Sequence, residues 1–84
     1  MQSEDIKNLI ESGIPGSAAN VTGPDGTHFE AVIVSAQFAG KSMVQQHQLV
    51  YRALGERMGR EIHALSMQTL TPEQWEQRVA ARDS

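Results

Sequence analysis

Three histidines and one aspartate offer the clearest prospects for chemistry in this sequence, because imidazole both binds metals and titrates near neutral pH. His28 follows a turn that contains Asp25, His47 lies within a helical segment, and His63 comes near the start of an alternating segment. The chain has no cysteine, and zinc and iron–sulfur sites usually need four ligands per metal. We therefore expect any such centre to be completed by another molecule.

Taken singly, the histidines also have structural explanations. His47 shares a helical face with Val44, Val50 and Leu54, which favours a partly buried structural role. His63 alone is more often structural too, although a side chain there can point off a sheet toward the end that holds the preceding turn. The residues by themselves leave both interpretations open.

Motifs for self-sufficient catalysis are absent from the sequence. It contains neither a phosphate-binding glycine loop nor a nucleophile elbow. Most glycines end elements or lie in loops, and Gly55, inside the long predicted helix, permits close packing. A chain of 84 residues also builds only a thin core, which favours binding at a surface or loop. We predict that the chain is not an enzyme.

The charge balance weakens the case for nucleic acid. Seven basic residues against ten acidic ones give a net charge of -3, the wrong sign for broad attraction to phosphates. The net charge does not exclude a local basic patch that binds nucleic acid. However, Glu56 and Glu61 interleave with its basic residues, and a solvated helix face explains these residues equally well. The candidate partner or nucleic-acid surface consists of Lys41, Gln46, His47, Arg52, Arg57 and Arg60.

The N-terminal segment and the hydropathy of the chain indicate its cellular compartment. The first residues lack the basic start and apolar run of a signal peptide, and no segment is long enough to span a bilayer. We expect a cytoplasmic chain that needs no membrane and is a monomer or weak dimer by itself.

Hydrophobic spacing and turn residues predict the element order. The order is a helix over 2–12, a weak strand over 17–22, a strand over 28–35, a helix over 42–58, a strand over 62–67 and a short helix from 72 that frays from 78. Gly13 and Gly59 are predicted helix terminators. The long helix buries a face with Val44, His47, Val50 and Leu54, and with Met43 and Tyr51 alongside.

Capping and connection rules position these elements. Ser42 with Gln45, and Thr71 with Gln74, have capping-box spacing. The second and third strands are joined through a helix, so they should run parallel by a right-handed crossover. The apolar second strand should be central and buried on both faces. The prediction is a single α+β domain over residues 1–84, ordered from about 2 to 80, with a three-stranded mixed sheet covered by helices.

Several motifs in this framework resemble the BolA family in order and spacing. They are His28-Phe29, Val32-Ile33-Val34-Ser35, Phe38-x-Gly40-Lys41, Gln46-His47-Gln48-Leu49-Val50-Tyr51, Ile62-His63-Ala64-Leu65 and Thr69-Leu70-Thr71-Pro72-Glu73-Gln74-Trp75. The short turn before His28 is most similar to IbaG-type bacterial members. The resemblance implies a fold related to the class II KH domain.

The resemblance also implies a function. BolA-like proteins pair with monothiol glutaredoxins and hold a [2Fe-2S] cluster jointly, in iron–sulfur trafficking or in iron and stress sensing. Glutaredoxin and glutathione supply thiolates, and His63 matches the position of the family's histidine ligand. The family's loop ligand corresponds to a shortened turn here, which leaves His28 and Asp25 as alternatives for a second ligand. A DNA-binding transcriptional regulator with a KH-like fold is the alternative function.

Overall fold

The elements of the chain follow the predicted order. The computed structural model describes residues 1–23 and 25–83. The elements are α1 (Ser3–Gly13), β1 (Ala18–Thr22), β2 (His28–Val34), a 3-10 turn (Ala36–Phe38), α2 (Met43–Leu54), a second 3-10 turn (Gly55–Arg57), β3 (Ala64–Leu70) and α3 (Pro72–Asp83). This order confirms the α+β class. Pro24, which belongs to the predicted hairpin turn, and Ser84 lie outside the described residues.

The three strands form one mixed sheet in the order β1-β2-β3. β1 and β2 are antiparallel, with Ala18 opposite Val34. β2 and β3 are parallel, with His28 beside Ala64 and Val34 beside Leu70. The central position of β2 and the parallel crossover through α2 are therefore confirmed. As a consequence, the N-terminal ends of β2 and β3 lie at the same edge of the sheet.

One face of the sheet packs against α1 and α2. Along β2, Phe29, Ala31 and Ile33 are buried and alternate with more exposed residues, as the period of a strand requires. The other buried apolar residues are Ile6, Ile10, Ile14, Ala19, Phe38, Val50, Leu54 and Ile62. Val32 and Val34, on the opposite face, are only half-buried, so the prediction that β2 is buried on both faces is wrong. That outer face is partly covered, where Trp75 lines a shallow cavity of about 240 Å³.

Gly13 ends α1 as predicted and also has a packing role, whereas Gly55 ends α2 instead of lying inside it. Gly13 is the last residue of α1, and a Cβ there would lie 2.5 Å from the Cβ of Ala53. Its small size therefore allows α1 to approach α2 closely. Gly55 was expected to allow such packing inside a long helix, but it has a φ of 60° with no neighbour within 4 Å of a Cβ placed there. Gly55 ends α2 at Leu54, because other residues rarely adopt this backbone conformation.

The predicted end and buried face of α2 are both corrected. The helix stops at Leu54 and not at Met58, and Gly59, with a φ of 87°, shapes a later turn instead of ending the helix. Ser42 and Gln45 do form the predicted capping box. The buried positions are Val50 and Leu54, flanked by half-buried Gln46, His47, Leu49 and Ala53.

Three apolar residues assigned to that face instead face solvent. Val44 is 67% exposed, Met43 69% and Tyr51 43%. The inward face is thus rotated relative to the prediction, because Leu49 and Ala53 pack on the core while the first turn of the helix extends beyond it.

The C-terminal region is more regular than predicted. Thr71 and Gln74 form the second capping box, with Thr71 N donating to Gln74 Oε1 at 2.9 Å and Gln74 N to Thr71 Oγ1 at 3.3 Å. α3 then continues to Asp83, so the fraying predicted from Arg78 is wrong within the described residues. Arg78 is held by a 2.7 Å bond from its Nη1 to Gln68 Oε1. No described helix combines the length and apolar character needed to cross a bilayer.

Candidate functional site

Two of the three histidines lie at the shared N-terminal edge of β2 and β3. His28 is the first residue of β2, and its register partner is Ala64, the first residue of β3. His63 immediately precedes Ala64, because β3 begins two residues later than the predicted start at Ile62. Both imidazoles are on exposed residues. The topology therefore places two exposed imidazoles at one end of the sheet, one on the first residue of β2 and one on the residue before β3.

The backbone on either side of His63 is fixed. Ile62 is fully buried and forms an isolated bridge with Met58. On the other side, Ala64 enters the parallel ladder with β2. Gly59 N also donates to Ile62 O at 3.0 Å, which closes the turn before His63. An exposed imidazole is thus held between two anchored residues.

The turn before β2 is organised by one carboxylate. Asp25 Oδ1 accepts the backbone N–H of Thr27 at 3.0 Å and that of His28 at 2.8 Å. This pattern is the Asx turn that aspartate commonly forms two residues ahead. Gly26 N donates to Gly23 O at 3.2 Å, and Gly26 takes a φ of 75° that favours glycine. The turn therefore presents Asp25 to the start of β2 in a defined orientation.

Asp25 also contacts the ring of His28 directly. Its Oδ2 lies 2.7 Å from His28 Nδ1, and both side chains are largely exposed, Asp25 at 53% and His28 at 70%. The backbone N–H groups of His28 and Thr27, followed by the bond to the His28 ring, hold the pKa of Asp25 well below its usual range. Asp25 is consequently an ionised acceptor with both oxygens engaged.

The side chains at this edge fit a shared centre better than a self-contained one. Among residues 1–23 and 25–83, no three histidine, aspartate or glutamate side chains converge in a way that could hold a metal ion. Two exposed imidazoles supply nitrogen ligands, which suit zinc, copper and iron. In Rieske centres two histidines bind one iron of a [2Fe-2S] cluster while thiolates bind the other. The histidines at this edge are therefore of a ligand type that such clusters accept.

The third histidine lies elsewhere. His47 belongs to the second turn of α2 and is half-buried, so its predicted partial burial is confirmed, while its role stays a prediction. Its helix neighbour Gln46 has its polar atoms committed internally. Gln46 Nε2 donates to Phe38 O and Lys41 O, both at 3.0 Å, and Gln46 Oε1 accepts from Thr69 Oγ1 at 2.6 Å. Gln46 thus ties the loop before α2 to β3 and has little left to offer a partner.

The basic residues of the candidate surface divide between two clefts and a turn. Lys41 and Arg52 line a groove of about 390 Å³ beside α2. Arg57 lines a separate cleft of about 420 Å³ together with Asp5 and Glu61. Arg60 is exposed in the turn that follows. The structure therefore brings Lys41 and Arg52 together but leaves Arg57 beside carboxylates.

Sequence reasoning placed Asp25 and His28 at one end of the sheet but missed their direct pairing. The available signal was an aspartate three residues before a histidine in a glycine-containing turn, since such a carboxylate bonds to the backbone just ahead of it. The ligand roles of His28, His63 and Asp25 stay predictions.

Comparison with known proteins agrees with the resemblance in the motifs. The family model described as BolA-like protein matches residues 11–74. A solved structure of a bolA protein homologue from Coxiella burnetii is similar with a TM-score of 0.83 and 44% identity, covering 90% of this chain and 97% of that one.

Two curated relatives match a shorter stretch. BolA-like protein 1 of Homo sapiens is 49% identical over 49 residues, which are 58% of this chain and 36% of the relative. The DNA-binding transcriptional regulator BolA of Haemophilus influenzae is 47% identical over 49 residues, 58% of this chain and 48% of that protein. The matches thus span between about a third and a half of these relatives. Because the family model covers most of the described fold, including His28 and His63, the chain belongs to the BolA-like family.

Proposed function

We propose that this chain is an adaptor that shares a [2Fe-2S] cluster with a monothiol glutaredoxin, in iron–sulfur trafficking or in iron and stress sensing. The observation that supports the proposal is the shared edge of β2 and β3, where exposed His28 begins β2 and exposed His63 immediately precedes β3. The chain has no cysteine. The thiolates in this proposal therefore come from glutaredoxin and glutathione.

His63 is the principal ligand in the proposal. Buried Ile62 and ladder residue Ala64 hold its backbone on both sides. An anchored backbone lowers the conformational entropy lost when a side chain is fixed on a metal. His63 therefore needs only a side-chain rotation to meet a partner that approaches the edge.

His28 is the second ligand in the proposal, in preference to Asp25. Both oxygens of Asp25 already accept hydrogen bonds, and metal ligation by Asp25 would have to break at least one of them. A histidine in place of a thiolate makes a bound cluster less negative and raises its reduction potential, as in Rieske centres. Protonation of either imidazole competes with ligation, because a histidine must be neutral to bind a metal.

Reconstitution with the partner tests the proposal. The chain is mixed with a monothiol glutaredoxin, glutathione, iron and sulfide, and the products are separated by size and measured by visible absorption and circular dichroism. We expect a heterodimer whose spectrum differs from that of glutaredoxin alone and changes in His63→Ala. His47→Ala is the matched control and should keep the wild-type spectral shape. Identical spectra with and without this chain would rule out a shared cluster.

A DNA-binding regulator is the second candidate, favoured by the groove that Lys41 and Arg52 line and by the name of the Haemophilus relative, a DNA-binding transcriptional regulator. KH domains clamp nucleic-acid backbone with a Gly-x-x-Gly loop, and Gly13-Ile14-Pro15-Gly16 has that spacing. However, Ile14 is 1% exposed and Gly13 packs against Ala53. Within this tetrapeptide Ile14 is therefore committed to the core, whereas Pro15 and Gly16 are exposed.

A second Gly-x-x-Gly tetrapeptide, at 23–26, contains the ionised carboxylate of Asp25, which repels phosphate. A gel-shift series at increasing salt concentration decides between specific and nonspecific binding. Sequence-specific affinity near physiological ionic strength, lost in Lys41→Ala, would support the regulator. Binding seen only at low salt would leave the groove as an ordinary solvated surface.

A further inference from the structure

At neutral pH, the proton in the hydrogen bond between Asp25 and His28 belongs to the His28 ring. An ionised carboxylate offers acceptors but no donor, so its 2.7 Å contact with His28 Nδ1 requires a proton on that nitrogen. Thr27 Oγ1 lies 3.1 Å from the same nitrogen, and a hydroxyl can accept as well as donate. The Thr27 contact is therefore compatible with a protonated Nδ1, whereas an unprotonated Nδ1 would face the carboxylate with a lone pair.

The protonation state of His28 Nε2 follows from that of Nδ1. A neutral imidazole carries one N–H, so a proton on Nδ1 leaves the lone pair on Nε2. Within the described part of the chain, the hydrogen bonds of the His28 ring are all made by Nδ1. The side chain is 70% exposed. Nε2 is consequently the nitrogen that an incoming partner can reach.

We propose that Asp25 is a positioning residue, which fixes the Nδ1–H tautomer of His28 and so presents an unprotonated Nε2 as the donor to the shared centre. Histidine ligands commonly donate their other N–H to a carboxylate, which sets the tautomer and the ring orientation. The inference rests on the proposed function, since it assigns Asp25 its part in the same site. In this proposal His28 is the ligand and Asp25 orients it, so the two residues are no longer alternatives for the same role.

The two bonds from the backbone make Asp25 suited to this part. Because Thr27 N and His28 N hold Oδ1, the carboxylate is fixed before any partner arrives, and Oδ2 is directed at the ring. The same backbone that starts β2 therefore orients both the carboxylate and the histidine. Positioning of this kind needs no movement of the turn on binding.

Substitution of Asp25 by asparagine gives a sharp test, because it should reverse the tautomer. In Asp25→Asn, the amide oxygen can still accept from the two backbone N–H groups. The amide nitrogen then replaces Oδ2, and it donates where the carboxylate accepted. His28 Nδ1 must become the acceptor, which moves the proton to Nε2 and blocks that nitrogen as a ligand.

The measurement is two-bond 15N–1H correlation NMR of the imidazoles in the protein alone, at about pH 8.5, where an unperturbed histidine is neutral. We expect His28 to show mainly a protonated Nδ1 in the wild type and mainly a protonated Nε2 in Asp25→Asn. Glu30→Gln is the matched control, since Glu30 is another exposed carboxylate on the His28 face of β2. It should leave the His28 pattern unchanged.

Predominance of protonated Nε2 in the wild type, or the same tautomer in wild type and Asp25→Asn, would overturn the inference. The wild-type spectrum decides even if the variant fails to fold. The outcome is also separate from that of the proposed function, because no cluster is present in the experiment. A reconstituted cluster with an unchanged His28 tautomer would retain the adaptor and remove Asp25 from its positioning role.

Discussion

Substitution of Gly13 by alanine sets two effects of opposite sign against each other. Alanine has a higher helix propensity than glycine, worth at most about 1 kcal/mol, and Gly13 lies in the last turn of α1. However, the added Cβ would lie 2.5 Å from Ala53 Cβ and 2.9 Å from Ala53 Cα. Overpacking of this kind typically costs about 1–3 kcal/mol. Because part of the contact is with backbone, we expect Gly13→Ala to destabilise the protein by about 1–2 kcal/mol.

Urea unfolding followed by circular dichroism measures this change, and a domain of this size should also lose about 4–8 °C in Tm per kcal/mol. Ser12→Ala is the matched control, since Ser12 is an exposed residue in the same turn of α1. Ala53→Gly in the Gly13→Ala background removes the second Cβ and should recover part of the loss. If Gly13→Ala is as stable as the wild type or more stable, helix propensity dominates and the close approach of α1 to α2 is wrong.

Two further predictions concern the polar residues beside the site. Gln46→Ala removes three hydrogen bonds, including the one that Thr69 Oγ1 donates and one of the two that Phe38 O accepts, so the unfolding free energy measured in urea should fall by about 1–3 kcal/mol. Exposed Gln48→Ala should change it little, and equal effects of the two would contradict the bonding of Gln46. Asp25 should stay ionised in 13C-detected pH titrations below the ordinary value of 3.8, because its partners favour the charged form. Its contribution to stability is therefore full above that value and is lost as the pH falls through the lower folded pKa. A carboxyl that titrates at the ordinary value would refute the Asx-turn geometry.

Local signals accounted for much of the fold. The capping boxes at Ser42 and Thr71 involve residues three apart, so the sequence alone determines their geometry. The parallel pairing of β2 with β3 follows from a helix that connects them. These features need no knowledge of distant contacts.

Features that depend on distant contacts were not predictable in the same way. Gly55 and Gly59 both have a positive φ, and α2 ends at the first of them. Val44 was assigned to a face with Val50 and Leu54, but it lies about 120° around the helix from Val50 and is 67% exposed. Glycine at position 13 allows a close approach to Ala53, which is forty residues away in the chain.

The candidate site also has one feature that was predictable from the sequence and one that was not. That His28 and His63 share an edge follows from parallel topology, once the strand starts are placed. The pairing of Asp25 with the His28 ring depends on side-chain rotation within the turn. Turn chemistry predicts the backbone bonds of such an aspartate, but it does not determine where the second oxygen points.

The most direct test of the central claim is pulsed electron paramagnetic resonance of the reduced, reconstituted complex. This chain is labelled with 15N-histidine and the glutaredoxin is left unlabelled, so that any strongly coupled 15N nucleus belongs to an imidazole of this chain. We predict such a coupling in the wild type and in His47→Ala, and its loss or reduction in His63→Ala. A reduced cluster with no 15N-histidine coupling in the wild-type complex would contradict ligation by this chain and, with it, the proposed adaptor role.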